Sequence, residues 1–215
     1  MAVWCIFALI YIILCILSLV AFIVLRGHRI LIVATFLSVL FALIQAAVVI
    51  PIIILGNNID SSSVFPYANT LEGLYTSSTF FGLWSLCLIF LTLTLVLSDR
   101  HAAIHSASDG KIASLPTFFH VLNYVAFIIT FGLAAIAGGL MYAYRHYIAQ
   151  SASLINSGLS FDPDEVFGEI KRKFNSYNDA FYVFCALWSL AAFYVVAFSI
   201  YVYSAMRKAK VSDLV

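Results

Sequence analysis

The sequence predicts an all-α fold, a polytopic membrane helix bundle. It has five transmembrane helices, its N-terminus outside and its C-terminus in the cytoplasm, and it forms a single transmembrane domain over residues 1–215. Three observations carry this expectation. Five blocks, residues 1–25, 30–59, 73–98, 112–144 and 180–206, contain no Asp, Glu, Lys or Arg. Each can supply the roughly 20 apolar residues that a helix needs to cross a ~30 Å hydrocarbon core. The chain is also 64% hydrophobic and only 10% charged, where a soluble domain is about 25% charged. A water-soluble bundle of such helices would expose far too much apolar surface. Finally, the basic residues sort by side. With the N-terminus outside, Arg26, Arg29, Arg100, Lys111, Arg207, Lys208 and Lys210 fall inside, and only Arg145, Lys171, Arg172 and Lys173 fall outside, as the positive-inside bias requires.

The first span, about 2–25, lacks the basic start and small-residue cleavage site of a secretory signal. It ends in Arg26-Gly27-His28-Arg29, which reads as a retained span followed by a cytoplasmic turn. The second span, about 30–55, follows so closely that the two form an antiparallel hairpin. Pro51 removes a backbone donor near its outer end, and Gly56-Asn57-Asn58 is a stop signal. The next connection carries no Lys or Arg before the third span, and Phe65, Tyr67 and Tyr75 suit an interfacial belt.

The third span, about 74–98, is rich in hydroxyls near its outer end: Thr76, Ser77, Ser78, Thr79 and Ser85. Such side chains can bond carbonyls one turn back and so need no outside partner. Asp109-Gly110 then marks a turn, and Pro116 is placed to start the fourth span, about 117–144. Ala134/Gly138 and Ala135/Gly139 are small-xxx-small pairs that let helix backbones approach closely in lipid. They provide a seam within the bundle, or a contact for a homo- or hetero-oligomer.

Residues 145–179 form the outer loop. Within it Asp162 as N-cap, Pro163 at the first helical position and Glu165 make a helix start. Val166, Phe167, Ile170 and Phe174 share one side at helical spacing, which predicts a short amphipathic helix at about 163–175 on the membrane surface. Capping accounts for Asp162, Asp164, Glu165 and Glu169 without a calcium ion, since the central Gly and alternating ligands of a Ca²⁺ loop are missing. The fifth span, about 180–206, is crowded with aromatics and ends in a basic stop.

Composition also narrows function. No Asp, Glu, Lys or Arg lies inside a span, which argues against proton-coupled pumps and voltage sensors. Net charge is +1 with no long basic run, which argues against nucleic acid as a partner. Cys5, Cys15, Cys87 and Cys185 all sit in the apolar blocks, so neither a loop disulfide framework nor a CxxC metal site is present. No cofactor is expected. Membrane lipid is the expected partner.

Four residues form the candidate ligand-binding set: Gln45 and Asn123, the deepest amides, with Trp188 and Tyr194 of the aromatic span. Each amide should bond across to a neighbouring helix, because lipid offers it nothing else. At the cytoplasmic exit of the third span, Asp99, Arg100 and His101 follow in a row. His101, His105 and Asp109 lie at i, i+4 and i+8, a spacing at which two imidazoles and a carboxylate could hold Zn²⁺ if the helix continued. The Asp109-Gly110 turn takes the third ligand off that helix, and no general-base Glu is nearby, so a solvated loop is the expectation. Asp99-Arg100-His101 resembles the Asp-Arg-Tyr motif of seven-helix receptors of the rhodopsin type. The resemblance implies an N-out helical receptor, although the second span lacks an intramembrane Asp, the first lacks an Asn, and no Cys opens the third. The expected function is therefore a non-enzymatic, receptor-like or scaffold protein that binds an apolar ligand, lipid or partner helix. The alternatives are a metal-dependent lipid hydrolase at the cytoplasmic face and a carrier of neutral solutes.

Overall fold

A computed structural model of the chain describes residues 2–24, 29–58, 68–108, 112–156 and 163–209. These form five helices and no strand: α1 (Ala2–Val24), α2 (Arg29–Asn58), α3 (Ala68–Ala107), α4 (Thr117–Asn156) and α5 (Pro163–Lys208). By length and composition α2, α3, α4 and α5 can each cross a membrane, and α1 carries a shorter apolar stretch, Ala8–Val20. The protein is a membrane-embedded helical bundle. Helix is the form these segments must take, because lipid satisfies no backbone N–H or C=O and only helices and closed barrels satisfy them internally.

The helices overrun the spans. α5 has 46 residues, about 70 Å at ~1.5 Å per residue, more than twice a ~30 Å hydrocarbon core. It begins at Pro163, where the sequence places a helix start, and runs unbroken to Lys208. The separate amphipathic helix over 163–175 is thus the first part of α5. Residues 145–156 of the expected outer loop are likewise the last part of α4. The reason is that hydropathy marks where lipid ends and not where a helix ends. Beyond the apolar block, side chains hold the two helices together: Tyr144 meets Phe174 at 5.2 Å between centroids, and Lys173 lies over Tyr147 at 5.4 Å. Glu169 adds ion pairs to Arg172 at 2.8 Å and Lys173 at 3.3 Å along its own helix. Asp162, the expected N-cap, lies outside the described residues, as do Phe65, Tyr67 and the Asp109-Gly110 turn. Pro51 sits inside α2, which continues past it to Asn58.

α3 is the centre of the bundle and packs against α2, α4 and α5, while α1 packs against α2. Its buried side chains Leu83 and Cys87 meet Ala134 and Ala137 of α4 and Phe184 of α5 in one core. Nearer the far end, Ile104 meets Phe198, Val202 and Ala205 of α5 in a second. Large apolar side chains such as Ile128, Leu190 and Phe193 are exposed, as expected where the surrounding solvent is hydrocarbon.

The small residues of α4 divide. Ala134 and Ala137 are fully buried, and a Cβ on Gly138 would lie 2.5 Å from the Phe80 ring of α3. Ala134/Gly138 is therefore a close approach within the molecule. Gly139 is exposed, with nothing within 4 Å of where its Cβ would be.

Candidate functional site

Two matching triplets define the site. Ser38, Ala42 and Gln45 of α2, and Ser78, Gly82 and Ser85 of α3, are each spaced by four and then three residues, which puts each triplet on one helix face. The Ser85 hydroxyl donates to the Ser38 carbonyl at 3.2 Å and joins the two faces. Both triplets line an open cavity of ≈ 630 Å³, which Tyr11 of α1 and Tyr177 and Phe181 of α5 also line. That volume lies within the roughly 300–1,000 Å³ of small-molecule sites. Gly82 makes room for Gln45 here. A Cβ at this position would sit 2.5 Å from Gln45 Nε2, so the bare backbone gives the amide its place against α3.

The hydroxyls do not all behave as the sequence suggests. Thr79 bonds back to the Tyr75 carbonyl at 3.0 Å, as expected. Ser85 instead reaches across to α2, and the buried Thr76 hydroxyl has no partner among the described residues. Gln45 departs further. Expected to bond a neighbouring helix, its side chain makes no hydrogen bond among the described residues and faces the cavity instead.

Asn123 fulfils the expectation that Gln45 does not. It is 4% exposed, and the Tyr194 hydroxyl donates to its Oδ1 at 2.8 Å. The pair lines a separate apolar crevice of ≈ 280 Å³ between α3, α4 and α5, walled by residues such as Phe90, Leu122 and Leu190. Trp188 lines neither space. Its indole N–H donates to the Leu86 carbonyl at 3.4 Å and its ring packs on the first core. The four candidate residues thus fall in three places, with only Asn123 and Tyr194 together.

At its C-terminal end α3 continues to Ala107, and His101 is 0% exposed. Asp99 and Arg100 on the same stretch are exposed. The expected solvated loop is therefore corrected for His101. Its helical position turns it towards α5, where its ring stacks on Tyr201 at 5.4 Å and 14°. His105 Nδ1 lies 2.5 Å from the Ile112 carbonyl. A carbonyl only accepts, so the ring carries its proton on Nδ1 and leaves Nε2 available. His120 of α4 joins both on a third cavity of ≈ 130 Å³. Among the described residues no three His, Cys, Asp or Glu side chains are placed to hold a metal ion. Asp109 lies outside them.

No family model, no curated protein and no solved structure matches this chain. The likeness of Asp99-Arg100-His101 to the receptor motif stays three residues long.

A further cluster, at the N-terminal end of α3, is not legible as a site in the sequence. Glu72, 9% exposed, accepts from His146 Nδ1 at 3.1 Å, and Arg145 lies over the Tyr75 ring at 4.5 Å. In the sequence Arg145 and His146 fall in the expected outer loop. Their positions one and two residues after the apolar block were the only available hint that they continue the helix.

Proposed function

We propose that the protein is a multi-pass, receptor-like binding protein, N-terminus outside and C-terminus cytoplasmic. Its ligand is apolar, carries at least one hydroxyl, carbonyl or amide, and occupies the ≈ 630 Å³ cavity between α1, α2, α3 and α5. One observation carries the reading: Gln45, near the middle of α2, presents an amide with no side-chain partner among the described residues to that cavity. A primary amide offers two N–H donors and a carbonyl acceptor, and leaving it unpaired in an apolar medium is costly. A ligand with a matching group removes that cost. The apolar remainder of the wall, including Leu83, Leu86 and Phe181, suits the body of such a molecule.

The test is mass spectrometry of small molecules extracted from protein purified in maltoside detergent. Wild type is expected to carry a stoichiometric apolar compound that is depleted in Gln45→Leu. Equal retention by both proteins, or none in wild type together with no thermal stabilisation by added lipid extract, overturns the reading.

A further inference from the structure

We infer that the ≈ 130 Å³ cavity at the inner end of α3 binds a phosphate group, supplied by a phospholipid of the adjoining leaflet or by free phosphate. This site is separate from the Gln45 cavity. It is lined by His101, His105 and His120, by Ser98 and Ser114, and otherwise only by Ala102 and Leu115. Five of these seven side chains can donate a hydrogen bond, and none is a carboxylate. The decisive member is His101. Its side chain is fully buried, it lines the cavity, and both of its ring nitrogens lack a partner among the described residues. Buried polar groups in folded proteins are nearly always satisfied, so a group from outside the chain completes this one.

The surroundings favour an oxyanion as that group. α4 begins at Thr117, directly after the lining stretch Ser114–Leu115. Although the Phe119 N–H bonds the Pro116 carbonyl at 2.9 Å, the N-terminus of the helix puts partial positive charge at this end. His105 lies in the last turn of α3, and the Nδ1–H bond to the Ile112 carbonyl fixes its ring. The charged side chains described at this end are Arg29, Arg100, Arg207 and Lys208 against Asp99, an excess of cations. Depth agrees as well. His101 lies three residues past Ser98, the last residue of the charge-free block, which is about 4.5 Å of helix and within reach of the headgroup layer. The cavity holds about four water volumes of roughly 30 Å³ each, enough for a tetrahedral phosphate. Acyl chains would stay outside it.

The experiment follows thermal unfolding of the whole protein in maltoside micelles, with three probes: dioleoyl phosphatidic acid, dioleoylglycerol and inorganic phosphate. Phosphatidic acid is expected to raise the midpoint further than dioleoylglycerol, the same lipid without phosphate, whose hydroxyl and carbonyls suit only the Gln45 cavity. Stabilisation by millimolar inorganic phosphate as well assigns the site to the free anion, and its absence assigns it to the lipid headgroup. His101→Gln is expected to weaken the apparent affinity about tenfold or more, the loss of a charge-assisted bond. Should that variant fail to fold, the exposed pair Ser114→Ala with His120→Gln is judged by the same criterion. Gln45→Leu should keep the wild-type difference between the two lipids, which separates this site from the ligand cavity. Identical responses to the two lipids with none to phosphate would mean that the cavity holds only water, and would overturn the inference. So would histidine variants that respond as wild type.

Discussion

Replacing Gly138 by Ala tests the packing that positions the whole site. The added Cβ would lie 2.5, 2.6 and 2.8 Å from three ring atoms of Phe80, where carbon atoms prefer about 3.5–4.0 Å. Phe80 would have to retreat by about 1 Å, and its neighbours resist. Its ring meets the edge of Trp84 at 5.4 Å, and Trp84 is stacked on Phe131 at 5.1 Å and leans on Phe41 at 5.9 Å. Overpacking of this kind costs about 1–3 kcal/mol, while Ala in place of Gly returns up to about 1 kcal/mol of helix propensity. Gly139 provides the control. Nothing lies within 4 Å of its Cβ position, so Gly139→Ala keeps the propensity gain without the clash. The two variants should differ by about 1–3 kcal/mol with Gly138→Ala the less stable. The assay is reversible unfolding in mixed micelles by titration with a denaturing detergent, read by far-ultraviolet circular dichroism. Equal stability of the two variants would refute the described α3–α4 approach.

Two further outcomes are expected. Tyr194→Phe leaves Asn123 Oδ1 without its 2.8 Å donor and should destabilise by about 0.6–1.7 kcal/mol, the range for interhelical bonds in lipid. A double-mutant cycle with Asn123→Leu should give a coupling of that size, and zero coupling would show the bond to be absent in the membrane. For orientation, a glycosylation acceptor inserted near Ser160 should be modified in a eukaryotic membrane and one near Ser106 should not. The reverse pattern would invert the proposed topology.

The number and order of helices were legible because lipid imposes a simple rule: about 20 residues without charge, helical throughout. Pro163 as a helix start and Ala134/Gly138 as a close approach were legible for similar reasons, since each depends on local chemistry. Helix ends were not. Residues 145–156 and 163–179 are polar enough to read as loop, yet contacts such as Tyr144–Phe174 and Lys173–Tyr147 keep them helical. Those contacts join residues about 30 positions apart, which no local pattern marks. The site followed the same division. Gln45 and Asn123 stood out as intramembrane amides, but only the packing shows that Asn123 is satisfied by Tyr194 and Gln45 is not. His101 and His105 were visible by their spacing. His120 joins them only because α4 starts beside the end of α3.

The most direct test of the account is photolabelling in native membranes with an apolar probe, a diazirine-bearing fatty alcohol, followed by peptide mapping. Occupation of the proposed cavity predicts saturable labelling concentrated in segments 38–45 and 78–89, reduced in Gln45→Leu. Labelling that follows lipid exposure alone, strongest at positions such as Leu190 and Phe193 and unchanged by that substitution, would contradict it.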